Sequence, residues 1–136
     1  MANSKHIFEK GIITGRKLSK IMEDNINYGL YIAYGLNRDD TGQCVVVKNK
    51  TIMAVESSEG HIDTIKRGCH LSNGKACVII TNKNNNDCIS VDILHIMKKH
   101  KGVLLALEYG IVTDNMEEFI KYAKKYKIIL YVFNKE

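Results

Sequence analysis

Apolar residues fall along this chain in short bursts separated by polar turns, and their spacing changes from one burst to the next. Between Cys44 and Val55 two apolar runs, Cys44 to Val47 and Thr51 to Val55, flank the polar Lys48-Asn49-Lys50. That arrangement predicts a β-hairpin with a buried face. Lys17 to Leu36 follows a helical period instead, with Leu18, Ile21, Met22, Ile26, Leu30, Ala33 and Leu36 near one face. Gly29 and Gly35 weaken that helix, each costing about 1 kcal/mol against alanine. Asn37 to Gly42 is a turn ahead of the hairpin. Residues 1–16 form a weakly patterned lead with a short strand at Gly11 to Thr14.

Downstream of Gly60 a helix runs to about Leu71, with Ile62 and Ile65 inward. After a turn at Ser72 to Lys75, Ala76 to Thr81 reads as a short buried strand. Asn82 to Asp87 is a polar loop and Cys88 to Val91 is strand-like. Asp92 opens a helix that ends in Lys98-Lys99-His100-Lys101-Gly102, where cations suit the negative helix end. Val103 to Leu107 is a strand, and Ile111 to Thr113 a second extended piece. Asp114 and Glu117 have capping-box spacing, with Asp114 as the cap. The helix they open carries Met116, Phe119, Ile120 and Ala123 as its apolar stripe, and Lys127 to Phe133 is the last strand. Strands alternating with helices in this order predict an α/β fold, a single-domain sandwich with a mixed β-sheet and flanking helices over residues 17–136.

Composition narrows the class without naming a function. A chain of 136 residues, 45% hydrophobic and 26% charged, is long enough to bury a core without staples. The formal charge of +5 suits attraction to phosphates or an anionic membrane face, but falls short of a nucleic-acid signature. The tyrosines are scattered and not interleaved with basic residues on one face, so no nucleic-acid partner is expected. No run is long enough for a transmembrane helix, and the first residues lack a signal-peptide core, so a cytoplasmic location is expected. The four cysteines, 44, 69, 77 and 88, show no CxxC spacing and read as reduced, partly buried thiols.

The chemistry concentrates where the hairpin ends. Glu56, Ser57, Ser58, Glu59 and Gly60 put two carboxylates and two hydroxyls between a strand and a helix. Ligands of open α/β sheets sit at such strand ends. Mg²⁺ typically takes one or two carboxylates there and fills its sphere with phosphate oxygens. The same residues also make an ordinary acidic helix start. Asp63, Asp92, Glu108 and Asp114 lie at similar junctions, and Asp92 reads equally as a functional carboxylate or an N-cap. His61 is the histidine nearest this stretch and reads as a surface residue. No Ser-His-Asp arrangement or phosphate-binding glycine loop is present.

Taken in order, Asp40-x-Gly42-Gln43, VVVKNKTIMAVESSEG, Asp92 at a helix start, LLALEYG with Glu108 and Gly110, and the closing IILYVF carry a family likeness. The chain resembles the carboxy-terminal catalytic domain of the UDP-2,3-diacylglucosamine pyrophosphatases of lipid A synthesis, the α-proteobacterial two-domain type, from about Lys17 to Phe133. The resemblance implies Mg²⁺-dependent, or Mn²⁺-dependent, hydrolysis of UDP-2,3-diacylglucosamine to UMP and lipid X. The family's D-L-P-T-I-G matches residues 92–97, which implies Asp92 as catalytic residue and metal ligand. Its E-x-x-E-G matches Glu56, Glu59 and Gly60. Glu56 and Glu59 are thereby implied as further ligands, and Gln43, Glu56, Glu59, Gly60 and Glu108 as substrate-binding residues.

Departures from the pattern are equally specific. Leu94, His95 and Met97 replace the family's Pro, Thr and Gly, Ser90 and Thr81 stand where cations are expected, and Asp63 is displaced by one position. Lost cations weaken the hold on phosphate. The family's amino-terminal domain is not in this sequence, so the chain is expected to be a fragment or a half completed by a separate chain or a homodimer, working on a nucleotide-linked glycolipid at the cytoplasmic face of the inner membrane. The alternative is a degenerate, non-catalytic domain that binds a phospholipid or nucleotide.

Overall fold

The computed structural model describes residues 6–36, 43–57, 59–82 and 87–134. The expected turn at 37–42, the Ser58 hydroxyl, the asparagine run and the side chain of Leu36 lie outside them. The chain runs β1 (His6–Ile7), β2 (Gly11–Thr14), α1 (Lys20–Leu36), β3 (Cys44–Lys48), β4 (Thr51–Val55), α2 (His61–Ser72), β5 (Cys77–Ile80), α3 (Asp92–Lys99), β6 (Leu104–Glu108), β7 (Val112–Thr113), α4 (Met116–Lys125) and β8 (Ile129–Phe133). Six strands make one mixed sheet in the order β2-β8-β6-β5-β3-β4. β5, β6 and β8 are parallel, whereas β2, β3 and β4 each run antiparallel to a neighbour.

Burial follows from this order. β5 and β6 are central and buried throughout, as expected of parallel strands covered on both faces. Alternate side chains divide between two cores. Val46, Val78, Ile80, Leu105, Leu107 and Leu130 pack under α2, α3 and α4. Val45, Val47, Cys77, Ile79, Leu104 and Ala106 pack under α1, with Ile26 and Ala33. The result is an α/β/α sandwich.

Several expectations change in detail. The first helix begins at Lys20 because Ser19 accepts a hydrogen bond from the Met22 amide at 3.2 Å. Ile21, assigned to its buried face, is 65% exposed. Residues 88–91 form no strand: Cys88 makes one isolated bridge to Val112, and Val91 already has helical dihedrals. The extended piece at 111–113 pairs with β1 rather than joining the main sheet. Asn115, not Asp114, caps α4, accepting from the Glu118 amide at 3.0 Å. The lead is better ordered than its pattern predicts, since β2 pairs with β8 and Phe8 packs edge-on to Phe119 at 5.0 Å.

Candidate functional site

The carboxyl ends of β4, β5 and β6 point the same way, and β3, running the other way, begins beside them. One edge of the sheet therefore gathers Glu56 after β4, Gln43 before β3, Thr81 and Asn82 after β5, and Glu108 ending β6. The Gln43 carbonyl ties part of this row together, accepting from the Thr81 amide at 2.9 Å and the Thr81 hydroxyl at 3.3 Å. α2 and α3, each connecting to a parallel strand, start at this same edge. It is the place where open α/β sheets bind ligands.

Glu56 is the organising carboxylate. Its Oε1 accepts hydrogen bonds from the amides of Gln43 at 3.0 Å and Cys44 at 3.1 Å, and lies 2.8 Å from His61 Nδ1. Burial pushes this carboxyl upward, but the His61 hydrogen bond, the Gln43 amide, the His61 charge and the Cys44 amide outweigh it and hold it below 4.5. The Gln43 side chain donates through Nε2 to Asp87 Oδ2 at 2.9 Å, and the same nitrogen is 3.5 Å from His61 Nε2. His61, expected on the surface, is thus held on both ring nitrogens and is 21% exposed at its side chain. The sequence undervalued it because only folding brings β3, β4 and α2 together around it.

The other expected site residues separate by environment. Glu59 is paired with Arg67 at 2.8 Å, and that hydrogen bond holds its carboxyl below the usual range. Gly60 precedes α2 with φ 91°, a conformation glycine adopts without strain, and no side chain among the described residues caps the helix. Glu108 is 2% exposed; its Oε1 accepts from the Asn82 amide and its Oε2 lies 3.4 Å from the Tyr34 hydroxyl. Both carboxylate oxygens thus have partners within the chain, and Glu108 fixes the backbone at Asn82. Asp92 is exposed in the first turn of α3; Val91 holds the N-cap position, so the capping alternative for Asp92 is not what forms. Among the described residues no three His, Cys, Asp or Glu side chains are grouped to hold a metal, so Asp92, Glu56 and Glu59 do not make a three-carboxylate cage.

A family model described as the LpxI C-terminal domain matches residues 9–131. The chain belongs to that family. Membership ties it to the lipid A pathway and agrees with the α/β fold. No curated protein matches the chain. The departures from the motif that the resemblance implied have a physical setting in α3. Leu94 and Met97 are fully buried in the core, while His95 Nδ1 lies 2.7 Å from the Tyr126 hydroxyl on α4. These positions serve helix packing, and they leave Asp92 as the exposed polar residue of the segment's first turn.

At the β2 side of the sheet, a cleft of about 560 Å³ is lined by His6, Ile7, Glu9, Lys10, Ile12, Ile13, Met116 and Ile120. It follows the β2 edge of the sheet against α4. No helix among the described residues is long and apolar enough to cross a membrane.

Proposed function

We propose that this chain carries out the hydrolytic step of its family, cleaving UDP-2,3-diacylglucosamine to UMP and lipid X with a divalent cation. The single observation that carries the reading is the family match over residues 9–131, which includes the polar carboxyl edge from Gln43 to Asp92. The Asp92 carboxylate fits Mg²⁺ or Mn²⁺, because such an ion needs only one or two protein carboxylates when phosphate oxygens and water complete its sphere. Glu56 and Glu59 fit that task less well, since Glu56 Oε1 already has three partners and Glu59 is paired with Arg67. When bound, the ion polarises the phosphoryl group under attack. Gln43 orients the ligand, and the uncapped start of α2 faces its anionic oxygens. We assign the acyl chains to the isoleucine side of the cleft beside β2 and α4, with the glycolipid drawn from the cytoplasmic face of the inner membrane. A homodimer or a separate amino-terminal chain completes the enclosure.

The test is release of UMP from UDP-2,3-diacylglucosamine by the purified chain with Mg²⁺ or Mn²⁺, alone and with a family amino-terminal domain added. Asp92→Ala abolishes the release and leaves the fold intact, with a stability change within about 0.5 kcal/mol because the side chain is exposed. Binding of the glycolipid without UMP release would favour the second reading, a ligand-binding domain that has lost turnover. The uncharged Ser90 and Thr81, at positions where the likeness implies cations, are the observation behind that reading.

A further inference from the structure

The outer faces of α2 and α3 meet in a groove of about 460 Å³, lined by Asp63, Lys66, Arg67 and His70 from α2 and by Ile96, Lys99 and His100 from the α3 side. Spacings of three and four residues put each set on one face of its helix. The His70 and His100 rings meet edge to face near the ends of both helices, 5.6 Å between centroids. Three formal cations and two imidazoles thus face a single carboxylate, Asp63. Among the described residues Arg67 alone of these groups is in an ion pair, with Glu59 at 2.8 Å; Lys66, Lys99, His70 and His100 have no carboxylate partner, and Asp63 pairs with none of them. Helix ends account for part of this charge, since cations are favoured in the last turn, where His70 and Lys99 stand. They do not account for Lys66, which lies more than a turn before α2 ends at Ser72.

We propose that this groove is a second anion site, built from other residues than the carboxyl edge, that takes the phosphate group of a small ligand or lipid headgroup. Lys66 and Lys99 come from its two walls as ammonium donors on flexible stems. An imidazole keeps an N–H donor in either charge state, so His70 and His100 add directed hydrogen bonds from the same two walls. Arg67 stays on Glu59 and contributes charge more than contact. The half-buried Ile96 offers an apolar surface to whatever carries the phosphate. The groove has the volume of a small-molecule site, and an anion lying among these cations relieves their mutual repulsion. A soluble phosphorylated compound and an anionic headgroup present the same chemistry to it. None of these residues is assigned a part in the pyrophosphate cleavage, so the inference stands apart from that reading.

Inorganic pyrophosphate, titrated into the chain with EDTA present and followed by calorimetry and by NMR of the histidine side chains, tests the soluble source. Sedimentation with phosphatidylcholine vesicles, with and without phosphatidylglycerol, tests the headgroup. Saturable binding is expected, with the His70 and His100 signals shifting together while those of His61 stay in place. Lys66 and Lys99 are exposed, so the double variant Lys66→Ala/Lys99→Ala keeps the fold. It weakens the binding about tenfold or more, whereas the charge-matched pair Lys124→Ala/Lys125→Ala on α4 does not. Pyrophosphate binding assigns a soluble ligand, and retention on phosphatidylglycerol vesicles alone assigns a lipid headgroup; either establishes the groove. No binding of either probe, equal weakening by the two double variants, or shifts confined to His61 overturns it. UMP release is read separately, and its failure leaves the groove untouched.

Discussion

Glu56 shows how one side chain can hold several elements together. Its Oε1 joins the end of β4 to the start of β3 through two amides and to α2 through His61. Because its folded pKa lies below 4.5, folding favours the ionised form. The unfolded chain therefore binds the proton more readily, and the stabilisation is present above about pH 4.5 and is lost as pH falls through the folded value. Glu56→Gln should destabilise the chain by about 1–3 kcal/mol at neutral pH. The deficit should shrink as the pH drops below 4.5, checked by urea unfolding across an acid series. The two acidic residues were conspicuous in the sequence, since Glu56 and Glu59 follow an apolar strand directly. Which of them is buried was not, because Val55 to Gly60 carries no periodicity that separates an inward carboxylate from an outward one.

At the scale of elements, two glycines in helices turn out to be contact points and not defects. Gly29 on α1 lies against Ile79 and Val47, and Gly68 on α2 lies against Val46, on the opposite face of the sheet. A methyl group at Gly68 would come within 2.5–2.8 Å of the Val46 side-chain carbons. Gly68→Ala should therefore destabilise by about 1–3 kcal/mol through overpacking, against a helix-propensity gain of about 1 kcal/mol. Thermal or urea unfolding gives the sign. Helices and strands were largely legible from periodicity, and the hairpin fell within a residue of its expected limits, Cys44–Lys48 and Thr51–Val55. Asn49 and Lys50, with φ of 51° and 56°, supply its tight left-handed turn. Cys88 to Val91 misled because a four-residue stretch with three apolar positions fits a strand and a helix approach equally. At Asp114 the capping-box pattern was one residue early, since Asn115 is an equally good cap and the backbone turns there.

Across the whole molecule, several acidic groups gather at the carboxyl edge of the sheet, alongside Lys10 over the Tyr109 ring and Arg67 on Glu59. Glu56, Glu59, Asp87, Asp92 and Glu108 are at or near the carboxyl edge, whereas Lys75, Lys101 and Lys127 occupy the turns that lead into β5, β6 and β8. Under the proposed function, a divalent cation would offset repulsion between a pyrophosphate and these carboxylates. The two cores, in contrast, close on hydrocarbon and contain the buried thiols of Cys44, Cys69 and Cys77, all pushed upward by burial, Cys69 to about 12. Chelation with EDTA should thus end UMP release while leaving the unfolding midpoint unchanged, measured on one sample by assay and by circular dichroism. The sequence by itself determined the α/β class, most element limits, the buried thiols and the acidic hairpin exit, because each depends on periodicity or composition within a few neighbouring residues. Only the tertiary structure decided that Glu56, Gln43 and His61 meet, that Glu108 is buried and that Asp92 is exposed. Those outcomes depend on strand order and helix placement, which bring together residues that no local spacing relates.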